Sequence, residues 1–247
     1  MSRLKNIIKF VSIIFILSMN NVYAGTVLDN QNNNYNATVW YHESAEKNAL
    51  YREIFQLSKQ ALLIDKKQDI KSGMQCGVVF DIDETLLDNS QYSHDNIKNN
   101  RVYNDKSWDQ FLNDKVSTAL PGAKDITAYV HSLGCKVNLV SNRDIHSLKV
   151  TEEVLKRQGI YYDQVLLAKL SYHGDKNSRF EAIKKGVSPS QLKYKQTIIA
   201  YYGDNIQDFP QSHQSQYIGG NIHGSLYQNF GIHYFVLPNP MYGSWEK

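Results

Sequence analysis

Cysteine is scarce in this chain: its 247 residues hold two, Cys76 and Cys135. That excludes a small disulfide scaffold, and the eight histidines show no paired spacing that would make a zinc site. No apolar run reaches the roughly 20 residues a bilayer span needs. The run from Phe10 to Met19 comes nearest, behind Arg3, Lys5 and Lys9 and ahead of Val22-Tyr23-Ala24. This layout reads as a secretory signal over 1–24 cut after Ala24, with a periplasmic or secreted product. No cysteine lies near the cut, so no membrane anchor is expected once the signal is gone.

An excess of one charge is also missing. The whole chain has 27 Lys+Arg against 24 Asp+Glu, but three basic residues and no acids lie in the signal. Removing 24 residues from 247 leaves 223 with the two signs equal. Such a chain has no electrostatic reason to bind a nucleic acid polymer or an anionic membrane. No internal repeat breaks it up, so it reads as one substantial domain with an appendage.

The Asn-rich residues 25–37 read as a flexible lead-in, and a domain is expected over 38–247. From about Thr38 to Lys66 apolar residues recur three and four apart, with Ala45, Leu50, Ile54, Leu57 and Leu62 as the stripe of an amphipathic helix. Five apolar runs follow: GVVFDID, CKVNLVSN, QVLLAK, TIIAYYGD and HYFVLPN. Helical segments are expected over 123–133, 145–158 and 176–185. Strands that are apolar throughout suit a parallel sheet covered on both faces. The fold expected is therefore α/β, a doubly wound parallel sheet with an N-terminal helix and small cap elements around 38–70 and 89–120. Cys76 and Cys135 each precede one of these strands; if the two are parallel neighbours the thiols can pair, and two separately buried thiols are the alternative.

Ligands of such sheets bind at the carboxyl ends of the strands. Three strand ends here carry polar clusters: Asp81 and Asp83, then Ser141-Asn142-Arg143, then Gly203-Asp204-Asn205 with Asp208. Carboxylates brought together repel unless a cation neutralises them, and a hard dication such as Mg²⁺ takes oxygen ligands of this kind.

These motifs carry a resemblance. DIDETLLD, SNR, Lys176 and GDNIQDF resemble, in order, the four motifs of the haloacid dehalogenase (HAD) phosphohydrolases. DIDETLLDNS, the SW before ALPGA, and the terminal VLPNPMYGSWE resemble more narrowly the bacterial class C acid phosphatases, which include secreted 5'-nucleotidases. The resemblance runs from about Trp40 to the C-terminus and implies a phosphomonoester hydrolase acting on a small-molecule substrate. It implies Asp81 as nucleophile, Asp83 as general acid then base, and Lys176 as the cation between carboxylates. It implies one Mg²⁺ on the Asp81 carboxylate, the Asp83 carbonyl and Asp204, with Asp208 on a metal-bound water or just beyond. Ser141 and Asn142 would bind phosphate, and Trp108 and Tyr242 would stack on a nucleoside base.

Plainer roles stand beside these. Ser141 and Asn142 can cap the next helix, Asp208 can cap a turn, Trp108 can be cap core, and Arg143 and Arg179 can orient acids. Thr85 is expected to steady the turn or Asp83. Transfer of phosphate to an alcohol, or a non-catalytic storage role like that of related plant proteins, are the alternative functions, and a homodimer is left open.

Overall fold

A computed structural model describes residues 34–69, 75–169, 175–217 and 225–246. The expected signal and the start of the lead-in fall outside those residues. Helix α1, residues 34–43, begins within the segment read as lead-in, and after a break at Ser44 α2 continues over Ala45–Asp69.

The five apolar runs all become strands of one parallel sheet: β1 (Gln75–Phe80), β4 (Lys136–Asp144), β5 (Gln164–Ala168), β6 (Gln196–Gly203) and β7 (Tyr234–Val236). Their order is β5-β4-β1-β6-β7, so the chain steps outward on one side of β1 and then returns to its other side. The strand order reverses at β1, which is where a crevice opens in folds of this type. Alternation along β1 separates the two faces. Val78 and Phe80 join the core under α2, α5 (Ala123–Ser132) and α6 (Leu148–Arg157), whereas Val79 packs with Phe180 and Ile183 of α7 (Asn177–Lys185).

Between β1 and α5 the chain forms the short antiparallel pair β2 (Leu87–Asp88) and β3 (Thr118–Ala119), which carries α3 (Ser90–Lys98) and α4 (Asp105–Asp114). Tyr92, Phe111 and Leu112 give it a small core of its own.

The stripe expected on the first long helix holds at Leu62 and in part at Ile54, but not at Ala45, Leu50 or Leu57. Helix α2 buries Tyr51, Phe55, Ser58, Leu62 and Asp65, while Leu50 and Leu57 face solvent. The two aromatics bury more area than leucine, and the Tyr51 hydroxyl donates to the Glu84 carbonyl at the edge of the site, a partner that only the interior offers. Because Phe55 packs on Tyr202 of the central sheet, residues 45–69 form a layer of the core rather than a cap. Cys76 and Cys135, left open above, are bridged at the amino end of the sheet.

Candidate active site

The site lies at the carboxyl ends of β1 and β6. Asp81 follows β1 directly, and its backbone N–H donates to Tyr202 O at 2.9 Å, which extends the ladder one residue beyond the strand. The chain then folds into a tight loop in which Leu86 and Leu87 both donate to Ile82 O at 2.9 Å, turning Asp83 toward β4. Asp204 follows β6, and Asp208 sits one short turn later. Gly203 makes that turn possible, since a Cβ there would fall 2.2 Å from the Cβ of Asp208.

Asp81, Asp204 and Asp208 each present an oxygen within 4.8 Å of the other two. Lys176, just ahead of α7, is buried among them: it pairs with Asp81 and lies 2.7 Å from Asp208. Burial lowers the affinity of Lys176 for its proton, yet Asp208 and Asp81 outweigh that and hold it above the ordinary lysine range. One cation does not balance three carboxylates. Burial pushes Asp81 up to about 7, against the pull of Lys176 and with Asp208 and Asp83 adding repulsion. Burial, then Asp208 and Asp81, push Asp204 well above the carboxylate range.

Asp83 is held differently. Arg143 Nε lies 3.0 Å from both of its oxygens and a second guanidinium nitrogen reaches Oδ1 at 2.6 Å. Asn89 Nδ2 adds a third donor to Oδ1 at 2.8 Å, while among the described residues Oδ2 has in addition only the Ser141 hydroxyl at 3.3 Å. The far side of Arg143 is anchored on Thr151 Oγ1 at 3.0 Å, so a buried fork fixes the orientation of the carboxylate.

Several expected roles change once the partners are known. Thr85 donates to Asp204 at 3.2 Å, not to Asp83. Asp144, rather than Ser141 or Asn142, caps the turn after β4. Arg179 donates to the Ser141 carbonyl and the Asn142 side chain, which holds that strand end in place. Asp208 does two jobs: one oxygen accepts from Asn205 N–H at 2.9 Å in a capping box, and the other faces Lys176. Trp108 on α4 packs with Tyr92 and Phe111 in the cap core, and its ring also lies 6.0 Å from the Arg143 guanidinium. The Tyr242 hydroxyl donates to the Glu84 carboxylate. Trp108 therefore reaches the Asp83-Glu84 segment by way of Arg143, and Tyr242 reaches it directly.

Three participants escaped the sequence reading. Asn239 donates to Asp204 at 2.8 Å. Asn89 links Asp83 to Ser117 of the cap stem, whose hydroxyl donates to it at 2.6 Å. Glu84, fully buried and left-handed at φ 51, accepts from Asn89 N–H at 2.8 Å and from Tyr242. Burial raises its carboxyl well above the ordinary value. Asn89 and Asn239 sit inside the quoted motifs, so the signal was present without the partner. Asp88, by contrast, leaves the site altogether, pairing with Lys47 at 2.7 Å and receiving Ser90.

Carboxylates crowded around a buried lysine, at the reversal point of a doubly wound sheet and beneath a helical cap, define a phosphohydrolase of the HAD type. The chain belongs to the HAD superfamily, subfamily IIIB (acid phosphatase), whose family model matches residues 9–245. It is thus a phosphomonoester hydrolase, as the resemblance implied. It is similar to the class C acid phosphatase of Bacillus anthracis, at 26% identity and a TM-score of 0.74 over 87% of each chain. A tungstate-bound form of that enzyme matches equally well, at 27% identity. Among protein sequences it is 26% identical to acid phosphatase 1 of Solanum lycopersicum over 77% of this chain and 68% of that one. It is 26% identical to the stem 31 kDa glycoprotein of Glycine max over 66% of this chain and 58% of that one.

Proposed function

We propose that the protein is an exported, Mg²⁺-dependent acid phosphatase acting on nucleoside monophosphates through an aspartyl-phosphate intermediate. The observation that carries this reading is the convergence of Asp81, Asp204 and Asp208 around Lys176. The donor set is all oxygen and under-compensated by its single lysine, which fits a hard dication. Mg²⁺ held by Asp81, the Asp83 carbonyl and Asp204, with Asp208 alongside, would offset phosphoryl charge and orient the group for attack.

The remaining chemistry belongs to the side chains. Asp81 attacks phosphorus while the bond to the leaving oxygen breaks, and Asp83 gives that oxygen its proton through Oδ2, the less crowded of its two oxygens. Asp83 then takes a proton from the water that attacks the same phosphorus; the bond to Asp81 breaks and phosphate leaves. Arg143 keeps Asp83 aimed during both transfers. Because Asp83 must begin each cycle protonated, turnover favours acid. Ser141 serves the phosphate by turning its hydroxyl from Asp83 to the substrate, beside the Asn142 N–H.

A cleft of ≈ 650 Å³ lined by Asn205, Gln207, His213, Tyr242 and Ser244 begins next to Asp204, a size and polarity that suit a nucleoside. Stacking on Trp108 or Tyr242 would add roughly 1 to 3 kcal/mol per base without choosing among bases. Export is supported by the Cys76–Cys135 bridge, which persists in oxidising compartments. Among the described residues no helix is long and apolar enough to cross a membrane.

The test is phosphate release from nucleotides, sugar phosphates and phosphotyrosine between about pH 5 and pH 7, with and without EDTA. Nucleoside monophosphates turned over fastest, and only with the metal, are the expected result. Release that ignores EDTA ends the metal-assisted reading, and equal rates on all three substrate classes end the nucleotide one.

A further inference from the structure

Asn89 stands where a helix cap is expected and does not cap. It is the residue ahead of α3, and asparagine suits that position because its side chain accepts from the backbone N–H groups of the first turn. Here the side chain makes no such bond. It is buried instead between the two stems of the cap, one residue after β2 ends and across from Ser117, one residue before β3 begins. Its carboxamide oxygen accepts from the Ser117 hydroxyl at 2.6 Å, and its nitrogen donates to Asp83 Oδ1 at 2.8 Å. The frame around it is fixed. The Asn89 N–H donates to Glu84 Oε1 at 2.8 Å, and the Ser117 carbonyl accepts from Gln158, at the end of α6, at 3.3 Å.

We infer that Asn89 is a positioning residue for the reaction: from the base of the cap it holds Asp83 Oδ1 as an acceptor, and so directs the proton of the acid through Oδ2 to the leaving oxygen. The inference rests on the reading of Asp83 as general acid given above. An amide nitrogen can donate but not accept, so the carboxyl oxygen that faces it cannot be the one that carries O–H. The Ser117 hydroxyl, by donating to the other end of the amide, fixes which end that is. Arg143 alone does not make the choice, because its Nε lies 3.0 Å from both oxygens of Asp83. With Oδ1 held by Asn89 and by the second guanidinium nitrogen at 2.6 Å, Oδ2 is the oxygen left to act. As the bond from phosphorus to the leaving oxygen breaks, the proton on Oδ2 passes to that oxygen.

The experiment compares kcat/KM, with Mg²⁺ present, on two phosphomonoesters. Glycerol phosphate releases an alkoxide that must be protonated, whereas 4-nitrophenyl phosphate releases a phenolate that departs unaided. Asp83→Asn is the reference and should lose about 10² to 10⁴-fold on glycerol phosphate, with a far smaller loss on the aryl ester. Asn89→Ala should lose about 30-fold on the first and no more than about threefold on the second, as a misaligned acid would. Asn89→Asp keeps the size but sets an acceptor against Asp83, and should be at least as damaging as alanine. Ser117→Ala, the mildest change, should shift the ratio of the two substrates the same way by about threefold. If Asp83→Asn separates the substrates and Asn89→Ala lowers both alike, in step with a fall in Tm, Asn89 is structural and the inference is overturned while the acid role of Asp83 stands. Rescue by Asn89→Asp would overturn it equally, and an unchanged ratio in Ser117→Ala would overturn the link to the cap. If Asp83→Asn itself fails to separate the substrates, the acid reading falls and the inference falls with it.

Discussion

The two ends of the same five strands are built on opposite principles. At the amino end Cys76 and Cys135 are joined covalently, and just inside them neutral amides link up: Asn138 donates to Gln196 at 2.9 Å and accepts from Gln164 at 2.6 Å. Gly77 leaves room for that ladder, since a Cβ there would fall 2.3 Å from Gln196 Oε1. At the carboxyl end charged groups crowd together without full compensation, and Asp81 and Asp204 are both pushed up by burial and then by Asp208 among the neighbouring carboxylates. One end holds the sheet together and the other stores electrostatic stress that a dication would relieve. Stability and chemistry are thus separated by the length of a strand.

If that division holds, damage at each end should show in a different measurement. The largest effect expected is on turnover. Asp81→Asn should lower kcat by at least about 10⁴-fold with little change in the unfolding midpoint, because it removes a buried negative charge and keeps the shape. Detectable wild-type turnover in that variant would break the covalent mechanism. The mirror experiment is Cys76→Ser with Cys135→Ser, which opens a closure 59 residues apart in sequence. Denaturant unfolding should show a loss on the order of 4 kcal/mol, while the rate of the folded protein stays within about twofold. A large fall in kcat at full folding would show that the two ends are coupled.

A third test reads the stress directly. In the EDTA-treated protein Asp81 and Asp204 bind protons more tightly folded than unfolded. Their contribution is therefore fully present below about pH 4 and is lost as pH rises through the folded values, near 7 for Asp81. Adding Mg²⁺ should raise the Tm more at pH 7 than at pH 5, by several degrees at about 2 to 4 °C per kcal/mol. An increment independent of pH would mean that the ion binds elsewhere. The smallest effect concerns His146, which joins Asp144 at the end of β4 (2.6 Å) to Asp109 of the cap (3.2 Å). Those two carboxylates, Asp109 first, raise the pKa of the imidazole, so its contribution is complete below about pH 6.5 and fades as pH passes the raised value. His146 is exposed, and His146→Gln should cost no more than about 1 or 2 °C of Tm at pH 5 and nothing at pH 9.

Much of this was legible in the chain. The five strands were readable because a parallel strand buried on both faces must be apolar throughout, and little else produces such runs between helical stretches. The DIDETLLD loop and the GDN turn were readable because acids directly after a core strand have no packing role. The register of α2 was not. Its sequence carries two adjacent apolar seams, and periodicity alone favoured the leucine-rich one, whereas the fold buried Tyr51 and Phe55. The partners of Thr85, Arg143 and Asn239 were equally out of reach, since each pairs with a residue tens of positions away and nothing local distinguishes one acid from another.

By itself, then, the amino-acid order determined which segments are strands and which carboxylates stand at their carboxyl ends, because both follow from the alternation and termination of apolar runs along the chain. Only the tertiary structure decided that Arg143 would orient Asp83, that Asn239 and Thr85 would hold Asp204, and that Lys176 would lie between Asp81 and Asp208. Those pairings depend on strand order and register, which bring residues as many as 119 positions apart to hydrogen-bonding distance.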